Sequence, residues 1–384
     1  MINLHAGKSI SRQVSLRAVF RAVRERGEIS RAELSRLTGL SKQTISEVVG
    51  ELAADGWLRE AGQTSGNIGR TATNYELNGD RAHVFGCDLG GTKIMLAIAD
   101  LTGRVIAERT IPTSPAGGQA VVEQIAGLVT ELTAESGIPQ GSLRGGALGA
   151  PGAYDRERDR LRLVSNITGL EDFDISTRFA DMLGIPVSVE NDVIIAAKGE
   201  LWAGAGNNLG SFAFLAMGTG IGLGIVADGR VVRGARGGAG EIASLPLGGN
   251  PFDSRNFPSG TLESAISSAA IVQRYKAYGG RDAETVAQVF ECLANGDAHA
   301  SAVIDEVARL TAVAIVSVCA VVDPAVIVTG GAIGSRVELV DRIRAVLPHC
   351  SPTPVPLLIS QLGNRAAVVG AIGVALDSLH DSLF

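Results

Sequence analysis

A chain of 384 residues is long enough for two or three domains with well-buried cores, and its 49 glycines, 4 % aromatics and abundant small aliphatics suit an α/β protein with many tight turns. Its four cysteines, Cys87, Cys292, Cys319 and Cys350, lie far apart and form no CxxC pair, which argues against a disulfide framework or a cysteine-based zinc site and points to a reducing, cytoplasmic location. No secretory apolar core opens the chain, and its apolar runs fall short of the roughly 20 residues that cross a bilayer, so no membrane partner is expected.

The formal charge of −6 is unevenly spread. Residues 1–80 carry 11 Lys+Arg against 9 Asp+Glu, a net +2, and the remainder carries 23 against 31, a net −8. Relatively basic residues in front of an acidic body suit an anion-binding module on a larger trunk.

In the front segment Leu16, Val19, Phe20 and Val23 recur at helical spacing until Gly27 stops the helix. Ser30-Arg31-Ala32-Glu33 is written as a capping box for a second helix, which ends at Thr38-Gly39-Leu40. Ser41 caps a third, with Ile45, Val48, Val49 and Leu52 inward. Two short helices joined by a glycine turn make a helix-turn-helix. The third helix then leaves Gln43, Ser46 and Gly50 facing out, flanked by Lys42, Thr44 and Glu47. Short and amide-bearing groups near a helix N-terminus suit base edges, and Ser41 and Lys42 suit phosphate. Strands at 56–60 and 73–77 flank a Gly/Ser-rich tip at 62–71. This tip reads as a wing whose Arg70 would enter a minor groove. The competing reading is a three-helix scaffold for protein contact.

At Asp88-Leu89-Gly90-Gly91-Thr92-Lys93 an apolar strand ends on a carboxylate, turns through two glycines and resumes as a strand. Such a turn can offer amide N–H groups and the Thr92 hydroxyl to phosphate oxygens, with Asp88 placed to hold a metal-phosphate complex; the plain alternative is an ordinary hairpin. The order strand, glycine turn, strand, Gly-Arg turn, strand returns later. It runs through Met217-Gly218-Thr219-Gly220, Ile221–Ala227 and Asp228-Gly229-Arg230, which suggests two related lobes. Gly330-Gly331 ends a further apolar strand. Between them a strand at 185–190 delivers Asn191-Asp192, a pair suited either to orienting and deprotonating a hydroxyl or to capping the next helix.

A winged helix-turn-helix followed by Asp88–Lys93, Glu190-Asn191-Asp192, Met217-Gly218-Thr219-Gly220-Ile221-Gly222, Gly240-Glu241-Ile242 and Asp323-Pro324 ahead of Gly330-Gly331 resembles the ROK family of repressors, open reading frames and sugar kinases. The resemblance covers nearly the whole chain. It implies an actin-like (ribonuclease H-like) two-lobed sugar kinase fold behind the winged helix-turn-helix. The implied domains are 1–80, then 81–195 with 366–384, then 196–365. It further implies a sugar contacted by Asn166, Asn191, Asp192, Glu241 and Glu263, with Asp192 as catalytic base in a kinase. ATP with magnesium would lie against Asp88, Gly90, Gly91, Thr92, Lys93, Gly218, Thr219, Gly220, Gly330 and Gly331. The family's structural zinc is not expected, because its ligand positions hold Ser244, Ser254, Asn256 and Thr261, poor donors for that metal. Ser244 also stands where the family places a sugar-contacting histidine.

These features imply a DNA-binding regulator of carbohydrate metabolism, a repressor with a carbohydrate effector. A homodimer or homotetramer is expected on a palindromic double-stranded operator, with no required cofactor. The alternative is an ATP-dependent sugar kinase with an appended DNA-binding domain.

Overall fold

The computed structural model describes residues 9–64, 72–162, 164 and 167–383. The head comprises helix α1 (Ile10–Arg26), strand β1 (Ile29–Ser30), helices α2 (Arg31–Thr38) and α3 (Lys42–Ala54), and strands β2 (Leu58–Thr64) and β3 (Ala72–Leu77). Gly27 takes φ 73° and donates its N–H to the Val23 carbonyl, which ends α1. The expected inward residues of α1 and α3 are all buried, together with Leu34 and Trp57. Strand β1 was not anticipated: Ile29 pairs with Tyr75 and Ser30 with Asn74, so the sheet runs β1-β3-β2. Ser30 Oγ accepts from the Glu33 N–H at 3.3 Å; among the described residues no return bond from the Glu33 side chain completes the box, and α2 has a simple serine cap.

The trunk holds two five-stranded sheets of identical plan. Strands β4 (His83–Leu89), β5 (Lys93–Asp100) and β6 (Val105–Pro112) form a meander; helix α4 (Gly118–Glu135), strand β7 (Leu143–Ala150), a small ribbon of β8 (Ala153–Asp155) and β9 (Arg160–Arg162), helix α5 (Ile175–Leu183) and strand β10 (Val187–Asn191) follow. The first sheet is ordered β10-β7-β4-β5-β6, with β4, β7 and β10 parallel and β5 and β6 antiparallel. Helix α6 (Asp192–Ala203) leads to the second meander, β11 (Phe212–Met217), β12 (Ile221–Ala227) and β13 (Arg230–Val232). Then come α7 (Glu263–Ile266), α8 (Ser268–Ala277), α9 (Val286–Ala294), α10 (Ala298–Val322), β14 (Ile327–Gly330), α11 (Gly331–Gly334), α12 (Val337–Cys350), β15 (Leu357–Ile359) and α13 (Ala366–Leu383). The second sheet is ordered β13-β12-β11-β14-β15, with β11, β14 and β15 parallel. The repeat legible in sequence as three strands therefore extends to five.

Strand periodicity sorts the core. Phe85, Cys87, Leu89, Ile94, Leu96 and Ile98 pack with α4, whereas Val84, Met95, Ala97 and Ala99 turn to the opposite face and pack with α13. Helix α13 lies on β4 and β7, α6 lies on β11 and β12, and the two helices pack on each other between the sheets. That position explains the apolar length of α13: it is a buried core helix. A Cβ on Gly370 would overlap the Ile195 carbonyl, and one on Gly199 would overlap the Ala366 carbonyl, so the two helices touch backbone to backbone.

Candidate functional site

The cleft is built from strand ends. Asp88 is the penultimate residue of β4, and the turn after it is closed by the Gly90 N–H donating to the Lys93 carbonyl at 2.9 Å. Thr113, beyond β6, braces this turn by donating its hydroxyl to the Gly90 carbonyl at 2.7 Å and its N–H to the Thr92 carbonyl at 3.1 Å. The second turn is its counterpart: the Gly218 N–H donates to the Gly220 carbonyl at 3.0 Å. The Gly218 carbonyl accepts from both the Ser268 N–H, at 2.9 Å, and the Ser268 hydroxyl, at 2.8 Å. Gly91, Thr92, Lys93, Thr219 and Gly220 are all exposed. Gly330 and Gly331 have a packing reason to be small: side chains there would run into Phe214 and the Met217 carbonyl, and Gly331 takes φ +83°.

Asn191 ends β10 and caps α6, its Oδ1 accepting from the N–H groups of Val193 (3.0 Å) and Ile194 (2.9 Å). Its amide donates to the Gly152 carbonyl at 3.0 Å. Both ends of this side chain are thus engaged, and the capping alternative raised by the sequence is realised. Asp192 then occupies the first turn of α6, half-buried, its Oδ1 accepting from the Val193 N–H at 2.8 Å. Burial, then the nearby carboxylates of Asp88 and Glu241, push its carboxyl up to about 7. Asp88 is itself pushed up to about 6 by burial, opposed by Lys93. Glu241 reaches solvent at the cleft mouth, yet flanking protein desolvates it enough to raise its pKa. Glu263 is raised by burial and by Glu241, opposed by the Ile221 N–H that its Oε2 accepts at 2.8 Å. Four carboxylates are therefore linked in one chain of neighbours, Asp88 to Asp192, Asp192 to Glu241 and Glu241 to Glu263, with Lys93 offsetting the charge of Asp88. Such a site disfavours a bare anion and suits a polyhydroxylated ligand or a metal-bound phosphate.

Asn166 lies outside the described residues. Sequence reasoning assigned no role to Arg156 and Arg233, whose guanidinium groups meet the buried Glu190 at 2.8 and 2.5 Å. Nor did it find Thr113 and Ser268. Each acts across a long sequence separation that no local motif reports.

The loop carrying Ser244, Ser254, Asn256 and Thr261 is held by turn bonds: the Asn256 amide donates to the Asn250 carbonyl at 2.9 Å, the Gly260 N–H donates to the Asn256 carbonyl at 2.6 Å, and Asp253 pairs with Arg255 at 2.6 Å. Three hydroxyls and an amide supply no thiolate or imidazole, so this donor set does not fit zinc.

On the head, Lys42, Gln43 and Ser46 face solvent and Thr44 is half-buried. Ser41 Oγ accepts from the Thr44 N–H at 3.1 Å and lies 2.8 Å from the Thr44 hydroxyl, so both residues build the helix start. The Gln43 amide donates to Glu47 at 3.1 Å. Arg70 and the wing tip at 65–71 lie outside the described residues.

The family model "ROK family" matches residues 84–378, and a MarR family model matches residues 18–66. A glucokinase of Halalkalibacterium halodurans is 30 % identical over 315 residues, covering 76 % of this chain and 94 % of its own length. A xylose repressor of Caldicellulosiruptor bescii is 24 % identical over 393 residues and covers 97 % of each chain. Among solved structures, a ROK family transcriptional regulator described as a homologue of the E. coli MLC protein superposes with a TM-score of 0.78 at 22 % identity, covering 97 % of this chain and 98 % of its own. A ROK hexokinase from Thermus thermophilus gives 0.66 at 31 % identity, covering 78 % and 99 %. The head is a winged helix-turn-helix, the trunk has the two-lobed fold of the sugar kinases, and the chain belongs to the ROK family.

Proposed function

We propose that this protein is a DNA-binding transcriptional repressor of carbohydrate metabolism whose effector, a sugar or sugar derivative, binds between the two sheets. The observation that carries this reading is the winged helix-turn-helix itself, with the solvent-facing Lys42, Gln43 and Ser46 near the N-terminus of α3. Phosphoryl transfer has no use for such a head. The full-length similarity to a xylose repressor supports the same reading. Asp192, Glu241, Glu263 and Asn191 are the groups we assign to sugar hydroxyls, together with Asn166, which lies outside the described residues. A homodimer or homotetramer on a palindromic operator follows from how paired heads read two half-sites.

The second reading, an ATP-dependent sugar kinase, is favoured by one observation: Asp192, with a carboxyl near 7, stands near Asp88, the carboxylate that leads into the first glycine turn. A base of that pKa suits a sugar hydroxyl at neutral pH. Magnesium-ATP would be held by Asp88 and by the exposed Gly91, Thr92, Thr219 and Gly220 of the two turns, and would supply the transferred phosphoryl group.

The deciding experiment screens purified protein by thermal shift against sugars, amino sugars, sugar phosphates and magnesium-ATP, then measures affinity for DNA from its own upstream region with each hit. A cleft ligand that raises Tm and changes DNA affinity supports the repressor. Turnover of ATP with a hit, lost in Asp192→Asn, together with no preference for any promoter fragment, would replace it by the kinase.

A further inference from the structure

The head does not merely trail from the trunk. Its core residues Leu16, Val19, Phe20 and Val23 belong to the same apolar cluster as Val368, Ile372, Leu376 and Leu379 of α13. The Phe20 ring meets the His380 ring edge-on at 5.1 Å. At the polar rim of this contact sits Asp377, whose two oxygens are divided. Oδ1 accepts from the Arg24 guanidinium of α1 at 2.6 Å, and Oδ2 accepts from the Lys198 ammonium of α6 at 2.7 Å. Arg24 also lies 2.5 Å from His380 Nδ1.

The three partners stand on three bodies. Lys198 rides on α6, which lies on the second sheet and begins at the cleft with Asn191 and Asp192; Asp377 rides on α13, which lies on the first sheet; Arg24 belongs to the head. The seam between α6 and α13 is where the helix on the first sheet meets the helix on the second. Because it is packed glycine against backbone at Gly199 and Gly370, little side-chain slack absorbs a shift of one helix against the other.

We infer that Asp377 is a positioning residue that couples the cleft to the DNA-binding head: it shares one carboxylate between Lys198 and Arg24, so that a change in the α6–α13 seam alters how firmly α1 is docked. The chemistry is competition. With Lys198 close, two cations share one negative charge and repel each other; with Lys198 withdrawn, the whole charge is available to Arg24. All three side chains are about one-third exposed, which keeps each pair weak enough to exchange. The regulatory meaning of this junction rests on the repressor reading above; the contact path does not.

The test therefore needs neither effector nor DNA. Amide hydrogen exchange is followed in α1 in the full-length wild type, in Lys198→Met, in Asp377→Asn and in the double variant, with α4, on the far face of the first sheet, as control. Lys198→Met is expected to slow exchange in α1 by roughly two- to fivefold, the scale of a partly exposed ion pair. The slowing should vanish when Asp377→Asn is already present. Unchanged α1 exchange in Lys198→Met, the same slowing in the Asn background, or an equal change in α4 would each overturn the coupling. Loss of DNA binding by the wild type, with the exchange pattern intact, would instead remove the repressor reading and leave the junction standing.

Discussion

Asp88, near the end of β4, and Asp192, in the first turn of α6, lie close enough that the carboxylate of the first raises the pKa of the second, which burial and this neighbour together bring to about 7. An unfolded aspartate releases its proton near 3.9. Between about pH 4 and about pH 7 the folded chain therefore holds a proton at Asp192 that the unfolded chain has lost. Stability from this group is present at the acid end and lost as pH rises through the folded pKa. Asp192→Asn should flatten that stretch of the stability profile and raise Tm at pH 8 by about 2–4 °C, while Asp88→Asn should draw the Asp192 titration downward. Thermal melts between pH 4 and 8 check this; parallel curves for wild type and Asp192→Asn would refute the burial of charge at that position.

On the head, Gln43 and Lys42 are predicted to fail differently. On the repressor reading Gln43, whose amide now rests on Glu47, is assigned to base edges, so Gln43→Ala should cost about 1–3 kcal/mol on the preferred sequence and little on random DNA. The exposed Lys42 is assigned to phosphate on the same reading, and Lys42→Ala should weaken every duplex alike and reduce the salt slope of binding by about 1. Anisotropy titrations at several salt concentrations separate the two. Equal losses on preferred and random DNA for Gln43→Ala would remove it from sequence readout.

How much of this was readable beforehand depends on range. The inward stripe of α3, the turn at Gly90-Gly91 and the strand ending at Asn191 were legible because each is written within a few residues: periodicity, a glycine pair, a polar cap. Whether Asn191 would contact ligand or cap α6 was not legible, because capping depends on where the next helix begins. Strand β1 escaped because two residues carry no period. The Asp377 junction escaped because Lys198, Arg24 and Asp377 are brought together only by the folding back of α13, and an isolated charge in a helical stripe looks the same paired or solvated.

The loop from Leu245 to Gly260 gives a metal prediction with a clear readout. Its order comes from Asn256, Asp253 and the Gly260 N–H, none of which needs an ion. Purified protein should therefore contain well under one zinc per chain, and excess chelator should leave Tm unchanged. Asn256→Ala, by removing the bond to the Asn250 carbonyl on a half-exposed loop, should cost about 1 kcal/mol. A chelator-induced fall in Tm would show that some other donor set binds a structural metal.

The seam between α6 and α13 sets the steepest stability prediction. Gly370 offers its missing side chain as the space taken by the Ile195 carbonyl, and neither partner is a flexible side chain that could swing aside. Gly370→Ala must therefore push the helices apart, opening gaps along the contact that Ile372, Leu376 and Ala197 now fill. In an exposed helix interior the same substitution would stabilise by about 1 kcal/mol through helix propensity. Here overpacking of about 1–3 kcal/mol or more outweighs that gain. Denaturant unfolding compares Gly370→Ala with Gly127→Ala, a site on α4 with open space around it. The first should lower the midpoint and the second leave it level or raise it. Equal behaviour of the two would mean that the seam yields, and the close backbone contact would then place no constraint on how the two sheets move.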